Sequence, residues 1–389
     1  MKLFKKAVVA LGLVAFGAMA AQAEGVDEIN PDVAKRLYNK DMLDPMQPVG
    51  PSPLRDFKAK NPPPWKIGYA SSYAGNTWRA NAMEALQKEI IPKWKDLGLI
   101  SEVVVTQSNL NDSTQIQQMR QLVDQGVDAI FVCCSNPTAL NQTIKYAYDR
   151  GVPVFSMTGY LTAPTAVNSS VNYQVAGFEI GKRMADELGG KGNVLVVEGI
   201  PGTSGSDSQD RGVKAGLATA PDIKIVGSIA GMWTDQVAQG EVQKWLATHP
   251  GKLDGIVVQS AAEMGVIRAI KQSGRQGVKI AVGGERGALC TWRKNPDLIN
   301  VAVQTWPPAD DVNLIWRIMM RTLQGQGPKV QSVLVDPVVI THDDVMKLLP
   351  EDCDENAQNW LNVGADAWGS TEYLNQFFVN PADPTKYKP

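Results

Sequence analysis

Residues 127–160, VDAIFVCCSNPTALNQTIKYAYDRGVPVFSMTGY, hold the pattern on which most of the chain is built. The apolar run 129–133 reads as a strand, a longer segment follows it, and a second strand-like run occupies 153–157. Strands separated by helices of this length form right-handed βαβ units with a parallel sheet. Towards the N-terminus, 66–70 reads as a strand, 77–97 as an amphipathic segment and 102–106 as a strand. The rhythm restarts at 194–198 and runs on through 223–229, 255–259 and 279–283. The expected fold is therefore α/β, with two doubly wound parallel-sheet lobes. Residues 298–303 lead into a helical segment, 310–323, at which the chain is expected to cross back to the first lobe; beyond His342 the sequence is polar and has no clear sheet pattern.

The start of the chain sets the expected compartment. Lys2, Lys5 and Lys6 precede an apolar run, 7–20, that ends at Ala21-Gln22-Ala23. This is the pattern of a secretory signal peptide cleaved after Ala23, and about 14 apolar residues fall short of the ~20 needed to span a bilayer. No cysteine precedes Cys133, so no N-terminal thiol is available for lipidation, and a soluble periplasmic protein is expected. With 38 basic and 40 acidic residues, three of the basic ones in the leader, the mature chain is mildly acidic. That balance favours solubility and gives no basic footprint for nucleic acid. A chain of 389 residues normally divides into two cores.

Residues 24–64 carry eight prolines, ending in Pro62-Pro63-Pro64, and read as an extended strap with a short helix-like exception at 33–40. The adjacent Cys133 and Cys134 lie in an apolar strand and read as buried small residues. Cys290 and Cys353 are then left as a disulfide in an oxidising compartment, tying the C-terminal extension to the second lobe.

Support for catalysis is thin. His249 and His342 are the chain's histidines, and neither sits in a nucleophile or metal-ligand spacing, so no enzyme, metal or cofactor is expected. The loop Gly199 to Gly205 follows a strand and precedes a helix, a geometry able to cradle an anion. It has neither the Lys-Ser/Thr of a P-loop nor a dinucleotide spacing. In doubly wound sheets ligands bind at the carboxyl ends of the strands. There the chain places Tyr73, Asn76, Trp78 and Arg79 after its first strand, and Asn136, Tyr160, Gln259, Glu285 and Trp306 after later ones. Tryptophan offers a flat face to the C–H side of a sugar ring, and amides and carboxylates match its hydroxyls.

From about residue 66 to about residue 340 the chain resembles the ribose-type periplasmic binding proteins. The resemblance is carried in order by Ser135-Asn136-Pro137-Thr138, Gly151-Val152-Pro153-Val154, Gly199-Ile200-Pro201-Gly202-Thr203-Ser204 with Asp210-Arg211-Gly212, and Ile280-Ala281-Val282-Gly283-Gly284-Glu285. It implies two lobes joined by three crossings: 65–171 with 306–332, and 172–305 with 333–345, leaving 346–389 as an extension. It also implies capture of a sugar, polyol or sugar acid by a monomer that passes it to the permease of an ABC importer. A periplasmic sensor for a receptor or kinase, and a secreted carbohydrate-processing enzyme, are the alternatives.

Carried over by position, Asn76 and Trp78 fall on a polar and a ring-stacking place, and Trp233 on the aromatic of the opposite face. Gln259 and Glu285 fall on hydroxyl-binding places, and Gln304 or Thr305 near a hinge glutamine. Three departures stand out: Arg79 where a second aromatic is usual, Thr158-Gly159 in place of an Asp-Arg pair, and Gln209 near a usual arginine. They argue for a ligand other than ribose.

Overall fold

The computed structural model describes residues 25–133, 136–361 and 369–386; the expected leader, 1–23, lies outside them. Two six-stranded sheets form the frame. The first lobe contains β1 (Trp65–Ser71), β2 (Ile100–Gln107), β3 (Ala129–Cys133), β4 (Val154–Met157) and β5 (Ala166–Val171). The second contains β6 (Lys191–Glu198), β7 (Asp222–Ala230), β8 (Gly255–Val258), β9 (Lys279–Val282) and β10 (Ile299–Gln304). Two late strands, β11 (Ser332–Val335) and β12 (Val338–Ile340), complete one sheet each. The strand orders are β11-β5-β4-β3-β1-β2 and β12-β10-β9-β8-β6-β7, and every pairing is parallel except β10 with β12. Both sheets carry helices on both faces, so β3, β4 and β8 are buried along their whole length, as the continuous apolar runs require.

The chain changes lobe after β5, after β10 and between β11 and β12. The last of these crossings corrects the boundary expected between residues 332 and 333. Ser332 to Val335 pair in parallel with Asn168 to Val171 and so belong to the first lobe, which moves the crossing to Asp336-Pro337. Strand β5 went unread in the sequence because it is AVNSSV, polar yet fully buried. Its Asn168 exchanges hydrogen bonds with the backbone of Leu161, accepting from N–H at 2.9 Å and donating to C=O at 3.1 Å, which is how a buried amide is tolerated.

The N-terminal strap is bound along its length. Asn30 caps the helix Pro31–Leu37, and Val33, Leu37, Tyr38, Leu43 and Leu54 enter the first lobe's core. At the other end, Phe377 and Phe378 join that same core, while Cys353 and Leu361 join the core of the second lobe. Cys290 and Cys353 are joined by a disulfide, which fastens the extension to the helix Arg286–Lys294.

Two helices of the second lobe lie backbone against backbone. A Cβ on Gly177 or Gly181 of Tyr173–Glu187, or on Gly212 or Gly216 of Ser204–Leu217, would overlap main-chain atoms of the partner helix. This close approach places Tyr173 and Gln209 together at the cleft.

Candidate ligand-binding site

A cavity lies between the lobes, beyond the carboxyl ends of the strands. After β1, Asn76 caps the helix Thr77–Ala85, its Oδ1 accepting from the Arg79 backbone N–H at 2.9 Å. The first turn then directs Trp78 and Arg79 into the cavity wall. Trp78 Nε1 donates to the Trp306 carbonyl at 3.1 Å, which ties that ring to the hinge. Thr158, with φ 55°, completes the first lobe's side. From the second lobe and the hinge come Tyr173, Gln209, Trp233, Ser260, Ala261 and Thr305.

Trp233 is held by shape. Met232 and Trp233 have φ 55° and 50°, a left-handed turn that throws the indole back over Gly199. Any Cβ at Gly199 would lie inside that ring. Between the lobes, Tyr73 Oη and Thr234 Oγ1 stand 3.1 Å apart.

Arg79 is the charged group of the described wall. Its Nη2 donates to Cys133 Sγ at 2.6 Å and to Thr158 Oγ1 at 2.9 Å. Its Nη1 is buried without a hydrogen-bond partner. Burial works to lower the guanidinium pKa, but the surrounding Cys133, Tyr69, Tyr173 and Asp311 outweigh it, so the net shift is upward. Asp311 is 3% exposed; burial pushes its carboxyl up to about 7 against the opposing pull of Arg79.

Residues 67–327 match the family described as periplasmic binding protein domain. The chain belongs to that family. The sequence resemblance to its ribose-type members is thereby borne out, as is the two-lobed α/β fold. This periplasmic binding protein is 31% identical over 247 residues to the xylitol-binding protein of Mycolicibacterium smegmatis, covering 63% of this chain and 70% of the relative. It is 28% identical over 238 residues to the galactofuranose-binding protein of Escherichia coli, covering 58% and 71%. An ABC transporter solute-binding protein from Thermobispora bispora has the same fold, with TM-score 0.68, 24% identity and coverage of 78% and 93%.

Of the residues singled out from the sequence, the binding protein brings Asn76, Trp78, Arg79, Gln209 and Trp233 to one cavity, with Thr305 beside them. Five others stand outside that lining, each with contacts of its own in the structure. Gln259 is 1% exposed and braces the loop after β6, accepting from Gly199 N–H at 2.8 Å and Ser206 Oγ at 3.0 Å and donating to the Ser206 carbonyl. Trp306 is a hinge pillar whose Nε1 donates to the Asp336 carbonyl at 3.0 Å. Asn136 folds its own loop, accepting from Thr138 and Ala139. Tyr160 is buried, and its backbone exchanges hydrogen bonds with Ser204.

Glu285 sits under Thr77, whose Oγ1 donates to Oε1 at 3.2 Å, and beside Trp360 of the extension. Burial, then the charges of Glu263 and Asp235, push its pKa up to about 9. The side chain of Gln304 lies outside the described set. Tyr173, Ser260 and Ala261 were missed. The last two directly follow Gln259, and the signal was there in their place at a strand end.

Proposed function

We propose that this binding protein captures a sugar or sugar-like ligand in the interlobe cavity and delivers it to an ABC importer when its lobes close. The observation that carries this reading is the wall itself. Trp78 comes from one lobe and Trp233 from the other, and Asn76, Thr158, Gln209, Ser260 and Thr305 supply polar groups around them. Apolar ring faces with a few placed amides and hydroxyls are the recognition surface of a polyhydroxylated ring or chain. The relatives named for xylitol and galactofuranose point to the same ligand class. Walls drawn from both lobes mean that binding and closure are one event.

The protein acts in the periplasm, exported by its leader and released after Ala23. Among the described residues no helix is long and apolar enough to cross a membrane; the permease of the importer is the partner of this reading. The protein works as a monomer and without catalysis, so a bound sugar should be recovered unchanged.

A thermal-shift screen of pentoses, hexoses, polyols and sugar acids identifies the ligand, since one present at 100 times its Kd stabilises by about 2.7 kcal/mol. Calorimetric titration then tests the wall. Trp78→Ala and Trp233→Ala should each weaken binding by roughly 2–4 kcal/mol, about 30- to 1000-fold, with folding retained. Unchanged affinity in both variants would refute the site.

A further inference from the structure

Among the described residues of the cavity wall Arg79 is the one charged side chain, set among amides and hydroxyls that both donate and accept. Asn76 Oδ1 is already committed to the Arg79 backbone, and Thr158 Oγ1 donates to the Met157 carbonyl at 2.7 Å. The described wall contains no carboxylate. Here the strongest group is a guanidinium that keeps its charge at any physiological pH.

That guanidinium is incompletely matched. Nη2 spends its bonds on the Cys133 sulfur and the Thr158 hydroxyl, and Nη1 is buried with none. Among the described residues no acidic side chain lies within ion-pair distance of Arg79; its nearest acidic influence, Asp311, is itself buried and has Oδ2 without a hydrogen bond. A buried charge lacking a counter-charge is costly, and the cost is relieved by an anion arriving in the cavity. Trp78 adds to this arrangement, with the guanidinium carbon 4.9 Å from its ring centroid, so the Arg79 fork is held in one orientation. The unspent Nη1 donates a charge-assisted hydrogen bond, which is stronger to a carboxylate oxygen than to a neutral hydroxyl.

We propose that the ligand of this cleft is an acidic sugar derivative, an aldonate or uronate, whose carboxylate pairs with Arg79. This rests on the sugar-capture reading and narrows it.

The test is a matched panel measured by calorimetry and thermal shift: gluconate, galactonate, glucuronate and galacturonate against glucose, galactose, sorbitol and xylitol. For the wild-type protein at least one acid should bind ten-fold or more tightly than its neutral counterpart. Arg79→Gln should abolish that preference while circular dichroism of the unliganded protein shows the fold retained. If Arg79→Gln fails to fold, Arg79→Lys serves, since it keeps the charge without the fork and should lower the preference several-fold. Equal or better binding of the neutral sugars overturns the proposal and leaves sugar capture standing. A preference that survives loss of the arginine overturns the role of Arg79. Binding of neither class overturns both readings.

Discussion

Asp44 is the point at which the N-terminal strap reaches across to the second lobe, and removing it should weaken the whole molecule. The strap first runs beside β11, where Tyr38 Oη donates to the Ser332 carbonyl at 2.6 Å and accepts from Leu334 N–H at 3.1 Å. It then meets the first crossing, where Asn172 Nδ2 donates to the carbonyls of Leu37 and Met42 at 2.9 and 3.0 Å. Asp44, 6% exposed, closes the path. It accepts from Ser208 Oγ at 2.5 Å and from Met46 N–H at 2.9 Å, and it pairs with the Arg211 guanidinium.

Asp44→Ala removes hydrogen bonds to a charged acceptor, each worth about 1.5–3 kcal/mol, and leaves the Ser208 hydroxyl buried. The Arg211 side chain is 43% exposed and regains water, so the pair does not incur the full penalty of a broken buried ion pair. The expected loss is about 2–4 kcal/mol. At about 1.3 °C per kcal/mol for a chain of this size, the melting temperature should fall by roughly 3–5 °C. Asp44→Asn, which keeps an acceptor but loses the charge, should fall about half as far. Calorimetric melting of the single variants, Ser208→Ala and the double variant gives the coupling, expected at about 0.5–3 kcal/mol for residues in direct contact. A melting temperature for Asp44→Ala within about 1 °C of wild type, or strict additivity with Ser208→Ala, would refute the clasp.

Two further outcomes follow from the same geometry. Gly199→Ala should displace the Trp233 indole without unfolding the lobe. Tryptophan fluorescence should shift, and affinity for the ligand found by screening should drop at least several-fold; the drop should vanish in a Trp233→Ala background, and its persistence there would mean that Gly199 acts by another route. For Glu285, the native state retains a proton that the unfolded chain releases above its ordinary pKa of 4.5, so this site's contribution to stability falls as pH rises from about 4.5 towards about 9. The slope is at most about 1.4 kcal/mol per pH unit. Glu285→Gln cannot ionise and should gain on wild type as pH is raised from about 5.5 to 8 in urea titrations, whereas parallel curves would show that Glu285 is not the protonated group.

The alternation of apolar runs with amphipathic segments was enough to read the α/β class, because a strand buried on both faces must be apolar throughout and a covering helix must be apolar on one side. The runs 129–133, 153–157 and 279–283 therefore announced β3, β4 and β9. Strand β5 was silent, since its polar side chains are buried by partners such as Leu161 and Ser332 that no local pattern discloses. The candidate site divides in the same way. Chain order places Asn76, Trp78, Arg79, Gln259, Glu285 and Trp306 after strands, and that much is local. Which of them face the cavity depends on the direction of each side chain and on what approaches from the other lobe. Gln259 is consumed by Gly199 and Ser206, Glu285 is covered by Thr77 and Trp360, and Trp306 is drawn to Asp336. Tyr173 and Gln209 arrive through two helices whose glycines allow backbone contact. Sequence spacing encodes the period of each element, but a cleft is made by contacts between residues far apart in the chain, and those exist only once both lobes are folded and facing each other.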